Sequence, residues 1–396
     1  MKIKIGDRVI GDGRPCFIVA EAGANHDGDF RKAGELIHAA ANIGADAIKF
    51  QHYTAEKLAS REARRYWLVR GDEDGYQFDP SYYKENQLET FVKIDGIPRE
   101  KDAELMRLAE KREISLFSTP FDFESVDHLD ALGVPMFKIA SGDLTYHQFI
   151  EYVARKGKPV VLSTGAANMP EIREAVKIIR KTGNDQLILL HCTLAYPTPL
   201  KHANLLMLRH LQAAFPEALI GLSDHTPGIA ASVTAALLGA AMIEKHFTNT
   251  PGAAAGKNKV GESPDHDIGL GAEKFGEMIS RIRDDERSGL SVRLGVPFAA
   301  ALEYVRGGEF ADVLGRGEKE VDRAVELKAR LQARRSIVAV LPLPKGMLIT
   351  EKTAQTHLAM KRPGTGIPPF ELPLLFGKTA KENIPADAVL LWSHFD

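Results

Sequence analysis

The chain alternates between short apolar runs and longer stretches in which apolar residues recur with helical spacing. Eight runs rich in β-branched residues lie at 17–21, 47–51, 115–119, 136–141, 160–164, 187–192, 220–224 and 242–247. Successive side chains of a strand point to opposite faces, so an uninterrupted apolar run predicts a strand that is buried on both faces. Such strands are typical of a parallel sheet covered by helices.

Amphipathic stretches separate these runs, at residues 30–43, 99–112, 124–132, 146–155, 170–181, 204–214, 227–239 and 270–287. Eight strand–helix units within about 270 residues predict an α/β fold of the (β/α)8 TIM-barrel type. The alternative is an open doubly wound sheet. The absence of a G-x-G-x-x-G motif after the first run counts against that alternative.

Composition divides the chain near residue 330. Residues 331–396 contain 7 of the 21 prolines and 8 Lys and Arg against 5 Asp and Glu, a net charge of +3. The totals of 51 and 53 leave 43 against 48 for the rest, a net charge of −5. We therefore expect a TIM-barrel domain at 1–290, a linker at 291–330 and a small C-terminal domain at 331–396.

Two segments extend beyond a simple barrel. The loop at 53–98, after the second strand, contains the aromatic residues Tyr66, Trp67, Tyr76, Phe78, Tyr82, Tyr83 and Phe91. Its position predicts either a lid that contacts the sugar-sized substrate over the site, or a packed surface insertion or dimer contact. Within the linker, the charged residues of 318–330 predict a helix.

Overall charge and cysteine usage restrict the classes of function. The net charge of −2 provides no overall basic field, so we expect no nucleic-acid partner. Cys16 and Cys192 are the only cysteines, which excludes a disulfide framework and favours two buried thiols. No apolar stretch reaches the roughly 18 residues of a membrane span, so we expect no membrane partner and a cytoplasmic location.

Polar and ionisable residues gather at the carboxyl ends of the predicted strands, where TIM barrels carry their active sites. Two lysines, Lys49 and Lys138, lie inside otherwise apolar runs. Together with the hydroxyl groups of Thr119, Ser141, Ser163 and Ser223, they predict a phosphate or carboxylate site. Two alternatives remain: lysines that extend to solvent at a strand edge, or one lysine that forms a Schiff base.

Histidines end the last two predicted strands. His225 and His246 have Glu244 and Asp265 near them in the sequence, and this set predicts a divalent-metal site with open coordination positions. The alternative is a pair of buried structural histidines. Glu21, which ends the first strand before a glycine-containing turn, is a candidate general acid–base or a ligand for hydroxyl groups.

Apart from Thr119, these residues lie in segments that resemble the sialic acid (N-acetylneuraminate) synthase family. The segments are AEAGANHDGD (20–29), GADAIKFQ (44–51), FKIASGD (137–143), LSTG (162–165), HCTLAYP (191–197), GLSDHT (221–226), IEKHFT (243–248) and SPDHD (263–267). Three C-terminal segments resemble the antifreeze-like SAF domain of that family: ARRSIVA (333–339), KRPGTGI (361–367) and LFGKTA (375–380). The resemblance therefore implies a TIM barrel followed by a small, β-rich SAF domain.

The resemblance also implies an activity. Members condense phosphoenolpyruvate with an N-acetylated amino sugar, such as N-acetylmannosamine, to give a nine-carbon 2-keto sugar acid and phosphate, with Mn²⁺ or Mg²⁺ as the metal. It implies a homodimer in which the C-terminal domain is swapped over the partner's barrel. The sugar itself is left open among N-acetylmannosamine, its 6-phosphate and diacetamido-trideoxy hexoses.

The resemblance also implies roles for individual residues of this chain. The resemblance implies that His225 and His246 bind the metal, with Glu21 as the acid–base. It assigns phosphoenolpyruvate to Lys49, Thr119, Lys138, Ser141, Ser163 and Ser223, and the sugar or reacting carbons to Glu21, Gln51, Tyr196, Glu244 and Asp265. Arg362 matches an arginine donated by the partner's small domain. Thr193 replaces an asparagine frequent in the family, which puts one phosphate contact in doubt.

Two other functions stay open beside this one. The first is a metal-dependent or Schiff-base aldolase on the same barrel. The second is a non-catalytic carbohydrate-binding or ice-binding protein, which only the antifreeze-like tail suggests. The set of charged strand ends favours the synthase, because free pyruvate needs no phosphate site and a binding protein needs no charged rim.

Overall fold

The computed structural model describes residues 1–67, 86–94, 97–250, 263–308 and 310–396, and the backbone alone of 69–70 and 76–77. Its strands are Lys2–Ile5 (β1), Arg8–Gly11 (β2), Phe17–Gly23 (β3), Ala47–His52 (β4), Val69–Arg70 (β5), Tyr76–Gln77 (β6), Ser115–Pro120 (β7), Phe137–Ile139 (β8), Val160–Ser163 (β9), Leu187–Cys192 (β10), Leu219–Asp224 (β11), Met242–His246 (β12), Ser336–Ala339 (β13) and Leu358–Lys361 (β14).

The helices lie between and after the strands: Phe30–Asn42 (α1), Ala55–Leu58 (α2), Gln87–Ile94 (α3), Asp102–Lys111 (α4), Phe123–Ala131 (α5), His147–Ala154 (α6), Met169–Lys181 (α7), Met207–Ala214 (α8), Ala230–Leu237 (α9), Ala272–Arg287 (α10), Phe298–Arg306 (α11), Leu327–Ala333 (α12), Glu351–His357 (α13) and Leu372–Leu375 (α14). Within the described ranges, no helix combines the length and apolar character needed to cross a membrane.

Eight parallel strands of the described chain close into a barrel in the order β3-β4-β7-β8-β9-β10-β11-β12, with β12 pairing back onto β3. Each strand overlaps one of the eight predicted runs, and the prediction of a (β/α)8 barrel is confirmed. The fourth barrel strand, β8, is shorter than the predicted run at 136–141 because residues Ser141–Asp143 form a 3-10 helix directly after it. This turn brings the Ser141 hydroxyl back over the barrel mouth.

Local signals in the sequence explain where the helices begin. The Asp29 carboxylate accepts hydrogen bonds from the backbone N–H groups of Arg31 and Lys32 and so caps α1. Asn168 and Glu171 form a reciprocal capping box at the start of α7. The helices that alternate with the barrel strands bury apolar residues against the barrel, and this burial supplies most of the stabilisation of the outer layer.

The C-terminal segment has a hydrophobic core of its own. β13 and β14 pair antiparallel, from Ser336↔Lys361 to Ala339↔Leu358. The most deeply buried members of this core are Ile337, Ala339, Leu343, Ile349, Leu375 and Leu390. The prediction of a small β-rich SAF domain after the barrel is confirmed by this segment.

This domain packs on the barrel through charged and backbone contacts. The Arg335 guanidinium donates to the Asp143 carboxylate at 2.5 Å and to the Phe121 carbonyl at 2.8 Å. The backbone of Arg362 exchanges hydrogen bonds with the segment after α2, from Arg362 N to Leu58 O and from Ser60 N to Arg362 O, each at 2.9 Å. These two backbone hydrogen bonds bring Arg362 to the mouth of the barrel.

The predicted helix at 318–330 is wrong in its start, because the helix begins only at Leu327. The preceding residues follow the barrel loops instead. The buried Glu326 carboxylate accepts hydrogen bonds from the backbone N–H groups of Ala166 and Leu194, each at 2.7 Å. These tertiary hydrogen bonds outweigh the local helical propensity of the charged segment.

Candidate active site

All fourteen residues assigned to the site from the sequence line one cavity at the carboxyl ends of the barrel strands. The cavity holds about 1020 Å³ of empty space, part of it open to solvent. The fourteen residues are Glu21, Lys49, Gln51, Thr119, Lys138, Ser141, Ser163, Tyr196, Ser223, His225, Glu244, His246, Asp265 and Arg362. The structure thus brings the whole predicted set together, whereas their individual roles stay predictions.

Strand register explains this convergence. Lys49 is paired with Glu21 across β3 and β4, and Gln51 is paired with Thr119 across β4 and β7. On the other side of the barrel, Ser223 is paired with Glu244. Because side chains alternate between the two faces of a strand, these residues face the interior while their neighbours face the helices.

Two lysines and two glutamates form a buried cluster in the cavity. Lys49 Nζ lies 2.6 Å from Glu21 Oε2 and 3.8 Å from Glu244 Oε2. Lys138 Nζ lies 3.1 Å from Glu244 Oε1. With all four groups ionised, the two positive charges balance the two negative charges, as buried ions require.

Burial and neighbouring charge shift the pKa values of the cluster in different directions. Burial raises the pKa of Glu21 to about 7, and Glu244 adds to this effect, although Lys49 opposes it. Burial also acts to raise the pKa of Glu244, but Lys138 and Lys49 outweigh it and the net shift is downward. Glu21 is thus the carboxyl group of this cluster that can gain a proton near neutral pH.

The pKa values of the two lysines also differ. Burial acts to lower the pKa of Lys49, but the carboxylates of Glu21 and Glu244 outweigh it and raise the pKa above its usual value. Burial lowers the pKa of Lys138, and the nearby charge of Lys49 contributes to this shift. Lys138 is therefore the lysine that more readily loses its proton.

Hydroxyl groups surround the charged cluster. Lys49 Nζ donates to Thr119 Oγ1 at 2.8 Å, and Ser223 Oγ donates to Glu244 Oε1 at 3.0 Å. Ser141 Oγ accepts a hydrogen bond from the backbone N–H of Gly165 at 2.9 Å, and the same hydroxyl group hydrogen-bonds the buried thiol of Cys192. Ser163 Oγ is buried and has no hydrogen-bond partner among the described residues. Such an orphaned donor suits an anionic ligand.

The histidine pair fits a divalent ion. The ring centroids of His225 and His246 are 5.4 Å apart. His225 Nδ1 donates to the carbonyl of Thr193 at 3.1 Å, which leaves the Nε2 lone pair free for a ligand. Burial lowers the pKa of His225 to about 4 and that of His246 well below its usual value, so both rings are neutral and able to coordinate.

His246 Nδ1 is buried without a hydrogen-bond partner in the described structure, and Asp265 Oδ2 lies 3.7 Å from it. Burial raises the pKa of the Asp265 carboxyl group to about 6. An orphaned imidazole nitrogen beside a carboxyl group is a donor set that borderline divalent metals accept. Two imidazoles with or without this carboxyl group leave coordination positions for water and substrate.

A buried ion pair holds the loop that carries His225. Lys245 Nζ lies 2.8 Å from Asp224 Oδ2, and the same oxygen accepts a hydrogen bond from Ser232 Oγ at 2.6 Å. Asp224 Oδ1 also accepts from the backbone N–H of Thr226 at 2.8 Å. The turn around His225 is thereby fixed from outside the cavity.

An aromatic and aliphatic wall closes one side of the cavity. Its members are Tyr53, Leu58, Tyr66, Trp67, Phe91, Ile94 and Phe121. Tyr66, Trp67 and Phe91 come from the aromatic loop singled out in the sequence, whereas Tyr76, Phe78, Tyr82 and Tyr83 lie outside the side chains that the structure describes. Leu58, Ile94 and Phe121 were missed, because an apolar residue at the end of a short helix or in a connecting segment gives no signal of which surface it joins.

Arg362 lies at this wall in the same chain. Its guanidinium carbon is 5.6 Å from the ring centroid of Phe91 and 5.5 Å from that of Phe121. Its Nη1 donates to Gln87 Oε1 at 3.2 Å, and its Nε is buried without a hydrogen-bond partner among the described residues. The domain exchange that the resemblance implied is not part of this single-chain structure and stays a prediction.

Two further features, the residue Thr193 and a cluster around His52, lie outside the cavity. Thr193 does not line it, because its hydroxyl group donates to the carbonyl of His202 at 2.9 Å. His52, Asp102 and His128 place one ligand atom each within 4.8 Å of one another, a cluster that the sequence analysis missed. His52 lies one residue beyond the predicted run at 47–51 and ends β4, and only the packing of α4 and α5 reveals its partners.

Comparison with known proteins agrees with this architecture. Residues 36–291 match the NeuB family, and residues 334–396 match the SAF domain. The chain belongs to the NeuB family. The resemblance to sialic acid synthases, given above on sequence motifs, is thereby confirmed.

Relatives of this NeuB-family chain align along almost its whole length. It is 34% identical to the N,N'-diacetyllegionaminic acid synthase of Campylobacter jejuni, over 95% of this chain and 99% of the relative. The crystal structure of the spore coat polysaccharide biosynthesis protein SpsE of Bacillus subtilis superposes with a TM-score of 0.74 and 30% identity, over 100% and 99% of the two chains. The sialic acid synthetase of Leptospira borgpetersenii superposes with a TM-score of 0.62 and 30% identity, over 78% and 97%.

Proposed function

We propose that the protein condenses phosphoenolpyruvate with an N-acetylated amino sugar. In this reaction, C3 of phosphoenolpyruvate bonds to the aldehyde carbon of the sugar, water adds to C2, and the bond between C2 and the phosphate oxygen breaks. The products are a nine-carbon 2-keto sugar acid and inorganic phosphate. The observation that carries the proposal is the buried pair Lys49 and Lys138 beside the unpartnered hydroxyl of Ser163.

Charge in the cavity supports binding of a small trianion. The phosphate and carboxylate groups of phosphoenolpyruvate would take the place of Glu21 and Glu244 as partners of the lysines. Because the pKa of Glu21 is about 7, this side chain can take up a proton and so relieve its repulsion with the ligand. Ser141 and Ser163 provide hydroxyl donors for the remaining oxygens.

His225 and His246 would hold the divalent ion, with Asp265 beside them. A bound Mn²⁺ or Mg²⁺ supplies Lewis-acid polarisation of the sugar's aldehyde oxygen. The chain's own contribution is to keep both imidazoles neutral and their lone pairs unused. The hydrogen bond from His225 to the Thr193 carbonyl fixes the orientation of one ring.

Glu21 is the proposed acid–base. In its protonated form, it would donate a proton to the aldehyde oxygen as the carbon–carbon bond forms. The carboxylate that remains could then accept a proton from the water that adds to C2. Gln51 Nε2 donates to Glu21 Oε1 at 3.1 Å and so orients the carboxyl group.

The apolar wall is suited to the sugar. Aromatic rings such as Trp67 and Phe121 can pack against the C–H faces of a hexose and the methyl group of an acetamido substituent. Arg362, held over two of the rings, would reach the sugar or the carboxylate of phosphoenolpyruvate. The legionaminic acid synthase and sialic acid synthetase relatives support this choice of substrate class.

The test measures phosphate release and product mass together. Purified protein with Mn²⁺ is given phosphoenolpyruvate and, in separate reactions, N-acetylmannosamine, its 6-phosphate or a diacetamido-trideoxy hexose. We expect sugar-dependent phosphate release and a nine-carbon acid with at least one of them. Pyruvate-dependent turnover without phosphate release would overturn the proposal.

The lowered pKa of Lys138 favours a second candidate, a Schiff-base aldolase, since a neutral amine is the nucleophile in that chemistry. Borohydride in the presence of pyruvate separates the two candidates. Covalent trapping that is lost in a Lys138→Gln variant would support the aldolase. The synthase predicts no trapping, because Lys138 then acts only as a charge.

We also infer a homodimer in which the C-terminal domains are exchanged. The domain has a core of its own, and it reaches the barrel mouth through the contacts of Arg335 and Arg362. The same surfaces can meet between two chains when the linker at 291–330 crosses from one barrel to the other. Arg362 of each chain would then serve the site of its partner.

A further inference from the structure

We propose that His52, Asp102 and His128 form a second divalent-cation site, on the outer face of the barrel and separate from the catalytic cavity, that takes a transition metal such as Zn²⁺. The three residues come from three elements: His52 ends β4, Asp102 begins α4 and His128 lies in α5. Their ligand atoms, two imidazole Nε2 atoms and one carboxylate oxygen, lie within 4.8 Å of one another.

Strand alternation separates this cluster from the catalytic one. Lys49 and Gln51 face the barrel interior, so His52, one residue further along β4, faces the helices. His128 is 24% exposed at its side chain, whereas Asp102 is 8% exposed. An ion can therefore reach the cluster from solvent through the His128 edge while the carboxylate stays largely buried.

The charge around Asp102 is the main reason to expect a cation. A largely buried carboxylate is normally matched by a lysine, an arginine or a metal. Among the described residues, the ion-pair partners found for Asp102 are the two histidines only. The nearest arginine in the sequence, Arg99, donates instead to Ser125 Oγ at 2.9 Å.

The present distances are close to those of a metal centre. Asp102 Oδ2 lies 2.9 Å from His52 Nε2 and 2.7 Å from His128 Nε2. In a tetrahedral zinc site with bonds of about 2.0–2.1 Å, neighbouring ligand atoms are about 3.3 Å apart. Each contact would thus lengthen by about half an ångström, a change that side-chain rotation can provide. Water would complete the coordination.

The hydrogen bond between Ser118 and the other ring nitrogen of His52 is compatible with metal binding at Nε2. His52 Nδ1 lies 2.7 Å from Ser118 Oγ, and a hydroxyl group can donate or accept. When Nε2 binds a metal, the ring proton moves to Nδ1 and is accepted by Ser118 Oγ. Metal-bound histidines typically have such a partner on the other ring nitrogen. Two imidazoles and one carboxylate favour Zn²⁺, Co²⁺ or Ni²⁺ over Mg²⁺ or Ca²⁺.

Zinc binding to metal-stripped protein tests the site. A His225→Gln, His246→Gln double variant removes the proposed catalytic ligands, so the remaining site is measured by titration against a chromophoric chelator. We expect one equivalent of Zn²⁺ and a rise in the unfolding midpoint with zinc concentration. Adding His128→Leu should abolish both effects, whereas His38→Leu, an exposed histidine on α1, should leave both unchanged.

Asp102→Asn provides a variant of nearly the same shape, which lowers the risk of misfolding. It should weaken zinc affinity at least tenfold and remove the visible absorption of a four-coordinate Co²⁺ complex. Crystals of the wild-type protein soaked in Zn²⁺ should show an anomalous peak between the three ligand atoms. Undiminished zinc binding in the His128→Leu variant, or no peak at this position, would overturn the proposal and leave a hydrogen-bonded cluster.

Discussion

Lys49 Nζ lies 2.6 Å from Glu21 Oε2, and both side chains are almost completely buried on neighbouring barrel strands. The contact does not keep Glu21 fully ionised, because burial raises its pKa to about 7. A buried glutamic acid with this pKa, beside a lysine, provides a proton donor at neutral pH that stays close to a positive charge. Acid–base catalysts are most effective when their pKa lies near the working pH.

Glu21→Gln should lower kcat by about 100-fold or more, since general acid–base groups contribute about 10²–10⁴-fold to rates. In the wild type, kcat/KM should fall as pH rises through about 7, because the free enzyme then loses the proton on Glu21. The variant should lose this inflection. Rates of phosphate release between pH 5.5 and 9, with the exposed Glu35→Gln as a control, test the assignment. An inflection near 7 in Glu21→Gln would assign it to another group.

Lys138→Gln should raise the KM for phosphoenolpyruvate by about 10-fold to 100-fold, because a charge-assisted hydrogen bond contributes about 1.5–3 kcal/mol. Lys138 Nζ is buried beside Glu244, and no solvent ion can easily replace its charge. Initial rates at varied phosphoenolpyruvate and saturating sugar measure the effect. Lys177→Gln, an exposed residue of α7, should leave KM unchanged. An unchanged KM in Lys138→Gln would remove this lysine from the anion site.

Much of the site was predictable because a strand fixes both the position and the direction of its side chains. Once the runs at 47–51 and 115–119 are identified as neighbouring barrel strands, Lys49, Gln51 and Thr119 must share the interior. The same rule applies to Ser223 and Glu244. Local sequence was therefore sufficient for the fold and for the charged floor of the cavity.

Contacts that depend on packing between distant segments were not predictable in this way. Leu58, at the end of α2, and Phe121, after β7, join the apolar wall only through the folding of their segments over the barrel mouth. Glu326 reaches loops more than 130 residues earlier. His191 shows that a position at a strand end does not by itself place a side chain in the cavity. It sits at a strand end like His225, but its Nε2 donates to the carbonyl of Ala203 at 2.8 Å, away from the cavity.

His191 should make the protein sensitive to acid. Burial lowers its pKa to about 3, whereas the unfolded chain has a histidine pKa of about 6.5. The unfolded state therefore binds the proton more tightly, and stability is lost as pH falls below about 6.5. At pH 5 the loss from this residue should be about 2 kcal/mol.

His191→Gln tests this pH dependence. The variant should be less stable than the wild type at pH 8, because a buried packing site is altered. Its unfolding midpoint should nevertheless fall less between pH 7 and pH 5, whereas His38→Leu should follow the wild-type curve. Parallel curves for His191→Gln and the wild type would assign the acid sensitivity to other groups.

Glu326→Ala should loosen the barrel mouth. Its carboxylate is 2% exposed and accepts the backbone N–H groups of Ala166 and Leu194. Each buried donor left without a partner costs about 1–3 kcal/mol, so the loss of two partners should lower the free energy of unfolding by about 2–6 kcal/mol. Thermal unfolding measures this loss, with the exposed Glu320→Ala as the matched control. A midpoint equal to that of the control would show that water replaces the carboxylate.

Arg362 provides the test of domain exchange. Arg362→Ala should lower activity strongly, because the guanidinium lies at the cavity wall and is shielded from water by Phe91 and Phe121. A chain with this substitution and a chain with His225→Ala are each expected to be inactive as homodimers. In an exchanged heterodimer, one of the two sites would combine an intact barrel with an intact Arg362. We therefore expect differently tagged, co-purified heterodimers to regain a substantial part of wild-type activity per site. Inactive heterodimers would show that Arg362 serves its own barrel, as it lies in the single chain.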